Sequence, residues 1–355
     1  IGFTVQSTDP SIDYFEPTKE DNSVWGNSTY AVNATVTSGV ETYAFTDFDN
    51  SLVGYWRFDT LNSSGDGVID ESGYENNGSA VGNAHSVIDG RFGKGFEFDG
   101  DADYINLGNP DSLDITEEMT ISLWAKRLGY GGHTYGHLIS KGAGYTTGGA
   151  YSLSWHSNGQ VYFFVRNASN TGYQWGGGVS VVDNRWYHLV GVFNGTDVLF
   201  YRDGVSMGVR NWVFQGGIYS NNLEVTAATT SSSFGTEDFN GTIDDVLIFN
   251  RSLSASEIRM LYNSTEGYYA NITNIVDGSY DYNTHVVDIA GNKNVSETRT
   301  LDIDTLSPQV NFVTPSPRDG GAVGTSSITL NASVTDAHKT YAFYNDSLVG
   351  WWRFD

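Results

Sequence analysis

The stretch Phe239-Asn240-Gly241-Thr242-Ile243-Asp244-Asp245-Val246-Leu247-Ile248-Phe249-Asn250-Arg251 decides how this chain is read. Val246 to Phe249 is an unbroken apolar run, bounded by Asn, Gly and Asp. A short run of that kind reads as a buried strand. Ser252-Leu253 lead out of it into Ser254-x-x-Glu257, which has the form of a capping box and predicts a short helix over 254–262.

Away from that helix the pattern is strand throughout. Tyr30-Ala31-Val32-Asn33-Ala34-Thr35-Val36 alternates apolar and polar, as a half-buried strand does, and Val161-Tyr162-Phe163-Phe164-Val165 is a second apolar run. The spacing predicts an all-β protein of sandwich type.

Composition narrows the function classes. The 355 residues carry a net charge of −24 with 18 basic residues and no cysteine. No basic patch exists to neutralise phosphates, which argues against nucleic acid as a partner, and disulfide and thiolate chemistry are absent. No stretch approaches the roughly 18 apolar residues of a membrane span. Ile1 follows neither an initiator Met nor a signal peptide, so the natural product is expected to be longer at both ends.

The end of the chain repeats its beginning. Thr42-Tyr43-Ala44-Phe45 returns as Thr340-Tyr341-Ala342-Phe343, an offset of 298 residues (341 − 43). Ser51-Leu52-Val53-Gly54-Tyr55-Trp56-Arg57-Phe58-Asp59 returns as Ser347-Leu348-Val349-Gly350-Trp351-Trp352-Arg353-Phe354-Asp355, an offset of 296 (347 − 51). The larger offset also carries Asn33-Ala34-Thr35-Val36-Thr37 to Asn331-Ala332-Ser333-Val334-Thr335, Pro17 to Pro315 and Pro10 to Pro308. A long-period repeat predicts a tandem array rather than one globular enzyme.

The repeat frames the domain organisation. Residues 9–47 and 265–304 each hold about three strands, too few for a stable domain apiece. Val287-Asp288-Ile289-Ala290-Gly291-Asn292 resembles the turn before the last strand of bacterial and archaeal Ig-like modules. Together the two segments approach the roughly 100 residues of one Ig-like domain, so they are expected to form a split Ig-like sandwich around an inserted domain at 48–264. Residues 1–8 are expected to end a preceding Ig-like module, 305–347 to begin the next, and 348–355 to open the next inserted domain. Two small separate modules are the alternative.

Residues 48–264 resemble the laminin-G-like, concanavalin A-like jelly-roll family over their whole length. The resemblance rests on Gly54-Tyr55-Trp56-Arg57-Phe58-Asp59, on Val68-Ile69-Asp70-Glu71-Ser72-Gly73-Tyr74-Glu75-Asn76-Asn77-Gly78, and on Gly95-Phe96-Glu97-Phe98-Asp99-Gly100 through Tyr104-Ile105. Later strands follow in the family's order at Met119–Lys126, Arg185–Val190 and Leu199–Arg202, and the 239–251 stretch closes the domain.

This resemblance implies a calcium site between the early Asp/Asn loop and the closing strand, with Asp70, Asn76, Asn77 and Asp244 as ligands. Calcium takes six to eight oxygens; the competing reading is that Asp70, Ser72 and Gly73 only form a tight turn. The fold also includes glycosidases, but no E-x-D-x-x-E strand pattern appears, and Glu117-Glu118 reads as solvated charge. No Gly-x-Ser-x-Gly elbow appears either, so no enzyme is expected. Tyr130, His133, Tyr135, His137, Tyr145, Tyr173 and Trp175 fall in Gly-rich stretches read as loops. Tyr130, Tyr135, Tyr173 and Trp175 are candidate glycan contacts; otherwise they cover a sandwich edge. His133 and His137 have metal-like spacing only on a helix, and the flanking glycines oppose one.

Asn-x-Ser/Thr occurs at Asn27, Asn33, Asn62, Asn77, Asn167, Asn194, Asn240, Asn250, Asn263, Asn271, Asn294, Asn331 and Asn345. Either these are glycosylation sites of an exported protein or they reflect the abundance of Asn, Ser and Thr in turns. Taken together, the features predict an extracellular, cell-surface glycoprotein of archaeal type: a structural and adhesive repeat segment of a filament, stalk or sheath. Its expected partners are copies of itself or neighbouring repeats, through strand complementation. Glycans on another cell are the alternative partner.

Overall fold

The computed structural model describes residues 9–336 apart from 64, 66, 130–133, 144–147, 171–172, 212–216, 231–236, 320, 323, 325–326 and 328. The stretch that opened the reading forms the strand Asn240–Phe249, every residue of which after Asn240 is buried. It lies inside a sheet ordered Val205–Asn211, Asp197–Arg202, Tyr187–Phe193, Met119–Arg127, Asn240–Phe249, Gly95–Asp99 and His85–Val87, and Leu52–Trp56 also pairs with it. A second sheet runs Tyr173–Ser180, Gln160–Arg166, Tyr151–His156, Tyr135–Lys141, Val225–Ala227, Tyr104–Asn106, Gly78–Val81 and Gly67–Val68.

Trp56, Phe96, Leu123, Trp155, Phe163 and Phe200 pack in the core shared by these two sheets. Each such side chain contributes about 1.5–3 kcal/mol when buried. The sheets approach closely at Gly191, where an added Cβ would enter the ring of Phe163.

The 240–249 strand lacks polar alternation because its other face is covered too. The helix Ala255–Tyr262 buries Ile258 and Leu261 against Leu247 and Phe249 in one cluster. Its capping box is formed: Ser254 Oγ accepts from Glu257 N at 3.3 Å, and Glu257 Oε2 accepts from Ser254 N at 2.8 Å.

The strands before and after the larger sandwich in sequence pair with one another. Ser11–Tyr14, Tyr30–Thr37 and Tyr268–Ile272 form one sheet, with Ala34 opposite Tyr268 and Tyr30 opposite Ile272. Thr42–Phe48 pairs along Gly278–Asp288, which also pairs with Lys293–Val295 and Arg299–Ile303; Ser23–Trp25 adds to the last in parallel. Tyr30, Val32, Ala34, Tyr268, Tyr282 and Val286 fill the space between the two sheets. Within 265–304 the pattern predicts strands at 268–272, 280–287 and 298–303, and the structure has them at 268–272, 278–288 and 299–303.

A two-stranded hairpin, Gln309–Val313 with Asn331–Thr335, follows the smaller sandwich. Gln309 pairs with Thr335 as Ser11 pairs with Thr37, and Val310 with Val334 as Ile12 with Val36. Residues 1–8 and the second copy of the motif at 340–355, with Asn345, lie outside the described residues.

Candidate functional site

The 240–249 strand carries a bulge at its centre. Ser122 faces Leu247 and Trp124 faces Asp244, so Asp245 and Val246 lie opposite Leu123 alone. Asp245 takes φ of +45°, a left-handed conformation that Asp tolerates better than most residues. At the same point the neighbouring edge passes from 95–99, which pairs with 240–243, to 52–56, which pairs with 246–249. Bulges re-aim side chains, and here the bulge places two adjacent carboxylates at the seam between the two sandwiches.

Asp244 accepts from the backbone of a neighbouring loop. Its Oδ2 receives Arg91 N at 2.6 Å and Phe92 N at 3.0 Å, and its Oδ1 receives Asp245 N at 2.8 Å. Asp245 faces the smaller sandwich instead. Tyr43 donates to its Oδ1 at 2.6 Å and lies 2.7 Å from the hydroxyl of Tyr55. Arg57 Nε is 3.9 Å from the same oxygen, and its guanidinium pairs with Asp59 and donates to the carbonyl of Gly291. Lys293 pairs with Glu71, Arg91 with Glu41, and Gly93 N donates to Ile289 O at 3.1 Å. Each of these last three contacts joins the larger sandwich to the smaller.

An aromatic cluster surrounds the polar one. Tyr43 meets Phe92 edge-on at 4.8 Å, Phe45 meets Tyr55 edge-on at 5.3 Å, and Phe45 stacks on His285 at 4.7 Å. Tyr43, Phe45 and Val287 of the smaller sandwich share one buried cluster with Phe92, Trp124 and Phe249 of the larger.

Burial governs the titration of these groups. It raises Asp244 well above the carboxylate range, aided by the adjacent charge of Asp245. It pushes Asp245 up to about 8 despite the opposing pull of Arg57 and Tyr43. Asp245 Oδ2 has no hydrogen-bond partner among the described residues. Burial also pushes His188 down to about 3, with Arg91 adding to the shift, and His285 down to about 4. Tyr43, Tyr55, Arg57, Asp244 and Asp245 are all buried, so the cluster is closed to a substrate. Its chemistry is cohesion between two sandwiches.

The residues expected to bind calcium are engaged otherwise. Asp70 Oδ1 accepts from Tyr55 N and Ser72 N, both within 2.9 Å, and its Oδ2 accepts from Ser72 Oγ and Asn76 N at 2.8 Å. Asn77 Oδ1 accepts from Asp70 N at 2.9 Å, and Asn76 donates to Val53 O at 2.7 Å and exchanges hydrogen bonds with Ser112. Four donors therefore fill the lone pairs of Asp70, and three meet Asp244. As arranged, Asp70 has no lone pair left to offer a calcium ion. No group of three or more His, Cys, Asp or Glu side chains suited to a metal exists among the described residues.

The aromatic candidates are dispersed along one sheet. Tyr135 lies in the 135–141 strand, edge-on to His156 at 4.6 Å, and Tyr173 and Trp175 lie in the 173–180 strand at the far edge, two strands intervening. These are strand positions rather than the loops expected. Tyr130, His133 and Tyr145 lie outside the described residues. His137 is likewise in a strand, with Nδ1 2.6 Å from Ser152 Oγ. Glu118, read as solvated charge, accepts from both N and Oγ of Ser252 and so holds the approach to the helix.

An open groove of about 1010 Å³ lies on another part of the junction, lined by Asp203, Arg259, Tyr262, Asn263, Glu266 and Tyr269 among others. Asn263 and Tyr269 are exposed there. None of the described sequon asparagines is buried.

The residues of the seam were missed as a site. Their signal was available in the repeat, since Tyr43, Arg57 and Asp59 recur as Tyr341, Arg353 and Asp355.

The fold is that of an all-β sandwich protein. Residues 99–259 match the family described as the concanavalin A-like lectin/glucanases superfamily. The chain is similar to the binding domain of Paraclostridial Mosquitocidal Protein 1, at 18% identity and a TM-score of 0.49, over 61% of this chain and 52% of that one. It is also similar to Domain 4 of AbnA, a GH43 extracellular arabinanase from Geobacillus stearothermophilus, at 19% identity and a TM-score of 0.46, over 60% of this chain and 98% of that one. A Trypanosoma rangeli sialidase gives 21% identity and a TM-score of 0.46, over 60% and 32%. The chain spans about half the length of the first of these. A search of curated proteins gives no match. Among the described residues no helix is long and apolar enough to cross a membrane.

Proposed function

We propose that this chain is a structural and adhesive repeat segment of an extracellular filament, stalk or sheath. In this reading a jelly roll is inserted into a split Ig-like sandwich, and the unit recurs along the polypeptide. The observation that carries it is the hairpin at 309–335, which repeats the pairing of 11–14 with 30–37 residue for residue. The buried seam supports the same reading, because a segment that transmits force needs its two bodies fixed to each other. The accessibility of the sequon asparagines supports an exported, glycosylated setting.

Cryo-EM of the native extracellular material tests it. The expected result is a regular axial repeat with one jelly roll per period. Isolated flexible molecules with no axial repeat overturn the reading.

The groove beside the helix favours a second reading, a carbohydrate-binding adhesin module. Exposed Tyr269 offers a ring for sugar stacking, and Arg259 with Glu266 offers polar contacts. Screening the full chain against a glycan array, with Tyr269→Ala and Arg259→Ala as controls, tests that reading. Binding lost in both variants supports it, and no binding by the native chain overturns it.

A further inference from the structure

The 309–335 hairpin copies the first one beyond its register. In the first, Thr18 Oγ1 donates to Asn33 O at 2.8 Å and accepts from Asn33 N at 2.5 Å, while Thr18 N donates to Phe15 O at 3.0 Å. In the second, Ser316 Oγ donates to Asn331 O at 2.6 Å and accepts from Asn331 N, while Ser316 N donates to Val313 O at 2.9 Å. The same hydroxyl clamp thus closes the same turn in both.

The two copies differ in what covers them. Ile12, Val32 and Val36 are 7%, 0% and 8% exposed, because residues 268–303 lie against them. Their counterparts Val310, Leu330 and Val334 are 56%, 42% and 36% exposed. Tyr14 packs edge-on to Tyr282 at 5.7 Å, whereas its counterpart Phe312 is 69% exposed. Alternation is kept, so the exposed apolar residues lie on the face that is buried in the first copy. Asn33 and Ala34, the counterparts of Asn331 and Ala332, pair with Tyr269 and Tyr268 on the edge away from 11–14.

We infer that the 309–335 hairpin is a docking surface for the second half of another repeat of this same sandwich, a polypeptide stretch with the chemistry of residues 268–303. It adds a strand beside Asn331 and Ala332 and lays its tyrosines and aliphatic residues over Val310, Leu330 and Val334. Both components of recognition are present: a strand edge that no other strand pairs among the described residues, and an apolar face of known complement. The inference rests on the array reading for its setting. Imaging tests the array and the experiment below tests only the pairing, so either failure is read separately.

A synthetic peptide of residues 267–304 carrying a fluorophore is titrated with the full chain and followed by anisotropy. The chain's own copy of that stretch occupies the first sandwich at an effective concentration that free peptide does not match. Saturable binding is expected. Leu330→Asp, on the apolar face, weakens it by about tenfold or more, and Thr335→Asp, on the opposite face, leaves it within about twofold. Thr37, the counterpart of Thr335, is exposed. Absence of binding, binding indifferent to Leu330→Asp, or equal loss in both variants overturns the inference.

Discussion

The hydroxyl of Tyr43 donates a 2.6 Å hydrogen bond to Oδ1 of Asp245, and both residues are buried. Tyr43 lies in the smaller sandwich and Asp245 at the bulge of the larger. A buried carboxylate is costly unless it is paired and hydrogen-bonded. The bond therefore ties the larger sandwich's acid to the smaller sandwich's position, and separating the two would leave the carboxyl without its donor.

Asp245→Asn should change the pH dependence of stability. Burial raises the folded-state carboxyl to about 8 from 3.8. The native state then holds a proton that the unfolded state releases, so stability falls as pH rises from about 4 to about 8. The amide keeps an acceptor for Tyr43 and does not ionise. The variant should gain on the native chain across that window and run parallel above it. With each pKa unit worth about 1.4 kcal/mol, the gap reaches on the order of a few kcal/mol. His188 and His285, depressed by burial, act in the opposite sense: their contribution is lost as pH falls from 6.5 toward about 3 and about 4. Both proteins share that term, so the difference in urea midpoints against pH reports Asp245 together with its effect on Asp244. A gap independent of pH would show that its carboxyl titrates normally.

Arg57→Ala should loosen the seam. Arg57 is buried, pairs with Asp59, lies 3.9 Å from Glu71 and from Asp245, and donates to Gly291 O across the junction. Removing one partner of a buried ion pair costs about 3–5 kcal/mol, because the other charge remains buried. Calorimetry should show a lower melting temperature and a transition separated into two, one for each sandwich. An unchanged single transition would mean that apolar packing alone holds the seam.

Chelation should leave stability unchanged, since N–H and O–H donors fill the lone pairs of Asp70 that a calcium ion would use. Asp70→Ala should cost about 2–4 kcal/mol by orphaning those donors, equally with and without calcium. Melting curves in EDTA and in millimolar calcium decide the matter. Ligand at 100 times its Kd would add about 2.7 kcal/mol and be visible at once.

Glycan occupancy should follow side-chain freedom. Asn250 and Asn271 are exposed and should be occupied in native material. Asn194 should be poorly occupied, because its Oδ1 accepts from the backbone of Thr196 and Asp197 at 3.2 and 2.8 Å. Glycopeptide mass spectrometry reads each site directly, and full occupancy at Asn194 would contradict the expectation.

Much of the fold was legible where local chemistry fixes it. Ser254 and Glu257 announce a helix start because their bonds close within four residues, and the apolar run of 246–249 announces a strand covered on both faces. The candidate site was less legible. Asp244 reads as a ligand only through the resemblance to the laminin-G-like family. Which donors reach it first depends on the Arg91–Phe92 loop, more than 150 residues away in the chain (244 − 92 = 152). Tyr135, Tyr173 and Trp175 read as loop residues because glycines surround them, yet cross-strand pairing draws them into a sheet.

By itself the sequence determined the all-β class, the capped helix, and the correspondence between the 11–37 and 309–335 stretches, since periodicity, capping and self-similarity are properties of neighbouring residues or of direct comparison. Only the tertiary structure decided that Asp245 meets Tyr43, that Arg57 reaches Gly291, and that one hairpin is covered while its copy is bare. Those contacts depend on a bulge that turns one strand by a single residue and on segments more than 200 residues apart, and no local pattern encodes either.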